Sequence, residues 1–323
     1  MKKIIGLVVI LLLSVTLLLL AKERLLPRTL SEPVLGANLR QVQITLAGRE
    51  RSFALYRPVD LKRGAPLVIV LHGSMSTGLS MRELSARRFD AMADREGLLV
   101  VYPDGVGKHW NDCRKTASYS ANRQQINDVA FLQALIQHLH RSEGIDPDRV
   151  LITGLSNGGN MALRVAMEAP DTALAYAPIA TSVPIDEHLD CRLPQQAVHL
   201  SWINGTRDPV NPYKGGAVKI LWDDSRGSVR STHESLGLFA ELAGHDSVVV
   251  SSLNDADTSD NSQLQLTQWK GGTHSLQLLT VEGGGHTFPS KAVDFGPVLG
   301  GNNFDLETAD WLWAWFKQLP EAR

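Results

Sequence analysis

The chain's strongest constraint on its own fold is a recurring run of residues that is apolar on both faces. Pro66–Leu71 and Leu98–Tyr102 are continuous apolar runs, and strands at Val150–Leu155, Leu174–Ile179 and His199–Ile203 continue the series. A strand wetted on one face alternates; a strand covered on both does not, and that is the condition inside a mostly parallel sheet. Helical periodicity fills the gaps, at about Met81–Arg95 and Ile126–Arg141. In the second stretch Val129, Leu132, Ile136 and Leu139 recur at three- and four-residue intervals and form one stripe for burial. Two short strands, Gln41–Leu46 and Ser52–Tyr56, come first, and a strand at Leu276–Val281 with a helix at about Leu306–Lys317 closes the series. The alternation predicts one α/β domain over residues 40–323, a mostly parallel central sheet with helices on both faces. Ser251–Ser262, rich in Asp, Ser and Asn, reads as a surface insertion. Trp311, Trp313, Trp315 and Phe316 on the closing helix read mostly as core.

Composition narrows the function. With 43% hydrophobic and 20% charged residues over 323 positions, the chain is neither disordered nor fibrous. A formal charge of −2 supplies no field for a polyanion, so no nucleic-acid partner is expected. Two cysteines are too few for a disulfide-dense scaffold or a cysteine-built zinc site.

The first residues stand apart. Lys2 and Lys3 precede an apolar run from Ile4 to Ala21, long enough as a helix to span about 27 Å, near the thickness of a bilayer core. The run is long for a signal-peptide core and lacks a small-x-small cleavage pattern at its end. Residues 1–24 are therefore expected to form an N-terminal hydrophobic helix, an uncleaved membrane anchor or a cleaved signal, the other reading being a buried core helix. Both of the first two export the rest of the chain. Residues 25–39, with Pro27 and Pro33, read as a linker. Export would permit a disulfide between Cys113 and Cys191; otherwise they are two free buried thiols.

Three strand ends carry chemistry. The strand Val150–Leu155 runs into Gly154-Leu155-Ser156-Asn157-Gly158, with a helix-like stretch, Asn157–Met167, behind it. In that context G-x-S-x-G reads as a nucleophile elbow. The serine is held on a tight strand-to-helix turn, the glycines stand where a side chain would clash, and the hydroxyl sits beside a helix N-terminus that favours developing negative charge. Asp208, on Asn204-Gly205-Thr206-Arg207-Asp208 after the strand ending at Ile203, can orient a histidine. His286 follows Gly283-Gly284-Gly285 after the strand ending at Val281. The order Ser156, Asp208, His286 is that of the α/β-hydrolase arrangement. The turn Leu71-His72-Gly73-Ser74 after an early core strand is where one oxyanion donor arises in this arrangement, the other being the residue after the nucleophile. The donors expected are the N–H groups of Ser74 (or Met75) and Asn157, with His72 as a structural support. Trp110 and Asn111 are candidates to line the mouth of a cleft, as are Tyr213 and Trp222; the alternative for each is packing beneath a loop.

The stretches LVIVLHG, VYPDG, INDVAFLQALIQHL, IDPDRVLITGLSNGGNMALRVAMEAPD, INGTRDPVNPYKGG, VEGGGHTFP and WLWAWFKQL, in this order from about Leu61 to Leu319, resemble the esterase family that includes polyhydroxybutyrate depolymerases and feruloyl and acetyl-xylan esterases. The resemblance implies an exported serine esterase without metal or organic cofactor, acting on an ester substrate that is polymeric in some members, with the triad on Ser156, Asp208 and His286. In place of the glycine-rich turn usual after the His-Gly pair, this chain has Ser74-Met75-Ser76. A peptidase or thioesterase would use the same triad, and a non-catalytic polymer-binding relative would keep the cleft alone.

Overall fold

A computed structural model describes residues 26–320 except Ala47 and Leu221. The N-terminal segment through residue 25, and with it the expected hydrophobic helix, lies outside the described residues. Among the described residues no helix is long and apolar enough to cross a membrane.

Ten strands form one sheet: β1 (Leu39–Leu46), β2 (Arg49–Tyr56), β3 (Leu67–Leu71), β4 (Leu99–Pro103), β5 (Val150–Leu155), β6 (Ala175–Ile179), β7 (His199–Gly205), β8 (Ser247–Ser252), β9 (Gln263–Lys270) and β10 (Leu276–Glu282). Their spatial order is β8-β9-β10-β7-β6-β5-β3-β4-β2-β1. The run from β10 to β4 is parallel throughout, and antiparallel pairs extend it at both edges. The doubly apolar strands occupy the middle, where both faces are covered. Along β3, Leu67, Ile69 and Leu71 enter one core while Val68 and Val70 enter the other, the period-two split that a sandwiched strand requires.

Helices α3 (Asp128–Glu143), α4 (Asn157–Glu168) and α5 (Thr232–Ala243) cover the first core. Helices α1 (Gly78–Leu84), α2 (Arg88–Glu96) and α6 (Thr308–Phe316) cover the second. Trp313, Trp315 and Phe316 are buried there, as expected.

Helix α5 and strand β9 have no counterpart in the reading of the sequence, and three expected features differ from it. The helix expected at Met81–Arg95 is two, because Ala86 and Arg87 adopt left-handed backbone at φ 46° and 57° and break the hydrogen-bond ladder. The insertion expected at Ser251–Ser262 begins inside β8 and is a hairpin connection, β8 and β9 pairing antiparallel to widen the sheet. Part of the stretch expected to be a linker lies on the domain: Arg28 and Thr29 pair with Asp294 and Val293, and the N–H groups of Gly36 and Ala37 donate to Asp94 and to the Tyr56 hydroxyl.

The parallel register aligns the ends of β3, β5, β6, β7 and β10 at one edge, through Leu71–Gly154, Leu155–Ile179, Ile179–Ile203 and Ile203–Leu279. The turns leaving these ends carry Ser74, Ser156, Asp208 and His286.

Candidate active site

Between β5 and α4 the chain reverses within one residue. Ser156 absorbs the turn at φ 56° and ψ −115°, a backbone strain that a non-glycine residue adopts only where its surroundings impose it. Here the imposition is steric. A Cβ on Gly158 would lie 2.4 Å from the Leu71 carbonyl oxygen, and one on Gly154 would lie 2.6 Å from the Gly158 carbonyl, so strand and helix approach only because both residues are glycine. The Ser156 N–H is tied to the Ile179 carbonyl at 2.9 Å, which fixes the turn to the neighbouring strand. Asn157 opens α4, and the N–H of a first helical residue has no acceptor within the helix.

Asp208 and His286 meet across the turns after β7 and β10. Asp208 Oδ2 lies 2.7 Å from His286 Nδ1, and its Oδ1 accepts the N–H groups of Val210 and Asn211 at 2.7 and 2.8 Å. Both side chains are almost fully buried. The turns lie backbone to backbone: Arg207 N–H donates to the Gly284 carbonyl and Gly283 N–H to Thr206 Oγ1, while Gly205 leaves no room for a Cβ against Gly284. With Nδ1 engaged by the carboxylate, Nε2 is the ring nitrogen free to exchange a proton. The structure thus brings Asp208 and His286 into contact and sets Ser156 at the same sheet edge, without a hydrogen bond between Ser156 Oγ and the ring.

The turn after β3 is held from below. His72 is fully buried, accepts the Gly105 N–H at Nε2 (2.9 Å) and points Nδ1 at the Gly73 carbonyl (2.7 Å). Burial lowers its pKa to about 4, so it is neutral and structural. Gly73 lies against the elbow, where a Cβ would stand 3.8 Å from that of Ser156. Ser74 follows, and its hydroxyl donates to the Tyr119 hydroxyl at 3.2 Å; Met75 adopts φ 56° and is exposed.

Two of the four proposed cleft residues lie elsewhere than expected. Trp110 and Asn111 are 0% and 3% exposed, beneath the elbow rather than at a mouth. The Trp110 indole N–H finds its acceptor in the His72 carbonyl, which draws the ring inward; Asn111 donates its side-chain amide to the Ile126 carbonyl and its N–H to Asp128. Tyr213 is half-buried, its hydroxyl bonded to Thr280 on β10 and to His233. Trp222 is 94% exposed in the short turn between Ile220 and Asp223, so its ring packs under nothing. Cys113 and Cys191 form a disulfide.

Two residues beside the site had no distinct signal in the sequence. Asp112, fully buried, accepts from the Asn157 side-chain amide, and Tyr119 bonds Ser74. The buried Asp112–Arg114 pair is two residues apart in sequence, a spacing too common to single out.

Residues 51–189 match the family model described as Esterase PHB depolymerase. The chain is 28% identical over 289 residues to the inferred esterase NocK of Nocardia uniformis subsp. tsuyamanensis, covering 86% of this chain and 82% of that protein. It is 25% identical over 243 residues to poly(3-hydroxyalkanoate) depolymerase C of Paucimonas lemoignei, covering 72% of this chain but only 57% of that longer protein. Among solved structures, the acetyl xylan esterase from Aspergillus awamori superposes with a TM-score of 0.59 over 87% of this chain and 99% of that one, at 16% identity, a likeness of fold. Over residues 51–189 the sequence thus resembles the polyhydroxybutyrate-depolymerase esterases, and the fold is like that of the acetyl xylan esterase.

Proposed function

We propose that the protein hydrolyses carboxylic esters through an acyl-enzyme, with Ser156 as nucleophile, His286 as general base and acid, and Asp208 as the carboxylate that orients the ring. The observation that carries this reading is the Asp208–His286 contact at the sheet edge where Ser156 is held in strained backbone. His286 Nε2 takes the Ser156 proton as Oγ bonds to the ester carbonyl carbon. The negative oxygen of the tetrahedral intermediate is held by the N–H groups of Asn157 and of Ser74 or Met75, the first reinforced by the helix N-terminus. Collapse breaks the carbon–alkoxy oxygen bond, and the imidazolium gives its proton to the departing alcohol. Water then attacks the acyl-enzyme by the same proton transfers, releasing the acid and restoring Ser156.

For the substrate we propose hydroxyalkanoate-type or acetyl- and feruloyl-carbohydrate esters, the classes named in the similar proteins. We further place the domain outside the cytoplasm, by export on residues 1–24, anchored through residues 4–21 or released. The Cys113–Cys191 disulfide supports this, since such bonds persist in oxidising compartments.

The test is fluorophosphonate labelling of the domain beside its Ser156→Ala variant, with turnover on oxygen-ester, thioester and amide substrates in parallel. Labelling confined to the wild type, oxygen-ester preference and a loss of roughly 10⁵-fold or more in turnover are expected for the variant. A variant that keeps more than a tenth of wild-type turnover sinks the reading.

A further inference from the structure

The segment from Trp110 to Tyr119 touches both sides of the proposed oxyanion hole. On one side it grips the Asn157 side chain at three points. The Trp110 N–H donates to Asn157 Oδ1 at 2.8 Å, and Asn157 Nδ2 donates to the Trp110 carbonyl at 3.1 Å and to Asp112 Oδ2 at 2.5 Å. Asp112 and Asn157 are both 0% exposed, so these bonds have no competition from water. Asp112 is itself held by Arg114, which donates Nε and Nη2 to Oδ2 and its backbone N–H to Oδ1. Burial pulls the Arg114 pKa down, but the adjacent Asp112 carboxylate outweighs it and raises it. On the other side, the Tyr119 hydroxyl accepts from Ser74 Oγ and from Arg226 Nε at 3.2 and 2.9 Å. The Arg114 guanidinium lies 5.5 Å from the Tyr119 ring, which links the two arms.

We infer that Asp112 and Tyr119 are positioning residues for the two oxyanion donors, acting through the Asn157 side chain and through Ser74. The inference rests on the ester-hydrolase reading above. The Ser156–Asn157 peptide follows a strained φ/ψ pair, and its N–H belongs to an unpaired first helical turn, where helices fray. Fixing the Asn157 side chain removes that freedom and aims the N–H before substrate arrives, the condition under which a donor acts on the transition state at full strength. Arg114 cancels the charge that would otherwise place a carboxylate near a developing oxyanion. Tyr119 performs the same service for a turn that has serine and methionine where glycines would have closed it.

The role is tested by kcat and KM on a soluble short-chain ester. Replacing the ion pair by apolar residues of similar size, Asp112→Leu with Arg114→Met, removes the acceptor for Asn157 without leaving a lone buried charge. Asp112→Asn with Arg114→Gln removes the charges but keeps an acceptor. The first pair should lose about 30-fold in kcat or more with KM within about threefold, and the second should stay within about fivefold of wild type. Asn157→Ala keeps the backbone N–H while deleting the gripped side chain, so it should show the first pair's kcat loss even if that pair fails to fold. Tyr119→Phe should lower kcat about tenfold with KM unchanged. Wild-type kcat in Asn157→Ala, or equal losses in both charge-removed pairs, overturns the inference. Failure of fluorophosphonate to label the wild-type protein would instead remove the ester-hydrolase reading itself.

Discussion

Asp208 faces His286 with one carboxylate oxygen and its own loop with the other, Oδ2 lying 2.7 Å from His286 Nδ1 while Oδ1 accepts the N–H groups of Val210 and Asn211. The acid is therefore fixed before it fixes the ring. Asp208→Asn can keep the loop contacts through its amide oxygen, but it then presents N–H to Nδ1 and favours the tautomer with the proton on Nε2, the wrong one for a base. We expect kcat to fall by about 10⁴-fold with little change in thermal stability. Turnover on a soluble ester with parallel thermal unfolding checks this, and a loss below tenfold would detach Asp208 from the reaction.

Gly158 and Gly237 give opposite expectations for the same substitution. A Cβ on Gly158 would sit 2.4 Å from the Leu71 carbonyl oxygen and 2.6 Å from that of His72, both backbone atoms of the turn that carries Ser74. Gly158→Ala must push the elbow away from β3, costing about 1–3 kcal/mol in stability and most of the activity. Gly237, on the exposed side of α5, has nothing within 4 Å of the added carbon. Gly237→Ala should stabilise by about 0.5–1 kcal/mol through helix propensity and leave turnover unchanged. Chemical denaturation of the two variants reads both outcomes, and a Gly158→Ala protein as stable and active as wild type would mean that the elbow is looser than its contacts imply.

Stability should also depend on pH through His72. Its folded pKa, lowered by burial to about 4, lies below the ordinary value of about 6.5, so between those limits the unfolded chain takes up a proton that the folded one refuses. Stability from this group is complete above about pH 6.5 and is lost as pH falls toward 4, by roughly 3 kcal/mol at most. His199, also held down to about 4 by burial and by His274, adds in the same direction. Denaturant titrations from pH 7 to 4 should show this slope, and His72→Asn should reduce it. An unchanged slope in the variant would place the acid sensitivity elsewhere.

How much of this was legible in the sequence follows from which residues announce their surroundings. The doubly apolar strands did so, because burial on both faces accounts for six consecutive apolar residues such as Pro66–Leu71, and the strands that follow in the same sheet end at the edge from which Ser156, Asp208 and His286 depart. Helix α5 carries a capping box, Ser231 with Glu234, which would have revealed it. The break at Ala86 and Arg87 carries no glycine or proline, so nothing local distinguishes it from a continuous helix. The antiparallel strand β8 is exposed along its whole length and merges into a polar connection, which disguised it. Trp110 shows the limit most clearly: an aromatic residue after a loop reads the same whether it lines a cleft or hangs beneath one, and the acceptor that decides between them, the His72 carbonyl, lies 38 positions away.

The Cys113–Cys191 disulfide joins the clamp segment to the loop around His188, where the Lys115 and Asp190 N–H groups already bridge the two strands of chain to the His188 and Cys113 carbonyls at 2.9 and 2.8 Å. It closes a loop across 78 positions of sequence, for which a contribution of about 2–4 kcal/mol to stability is ordinary. Cys113 lies between Asp112 and Arg114, so losing the bond should loosen the Asn157 grip before it unfolds the domain. We expect Cys191→Ser, or reduction verified by thiol titration, to lower the midpoint of thermal unfolding and to reduce kcat at temperatures where the fold persists, with reoxidation restoring the reduced wild type. Full turnover by a protein shown to carry two free thiols would mean that the backbone hydrogen bonds and the Asp112–Arg114 pair hold the segment unaided.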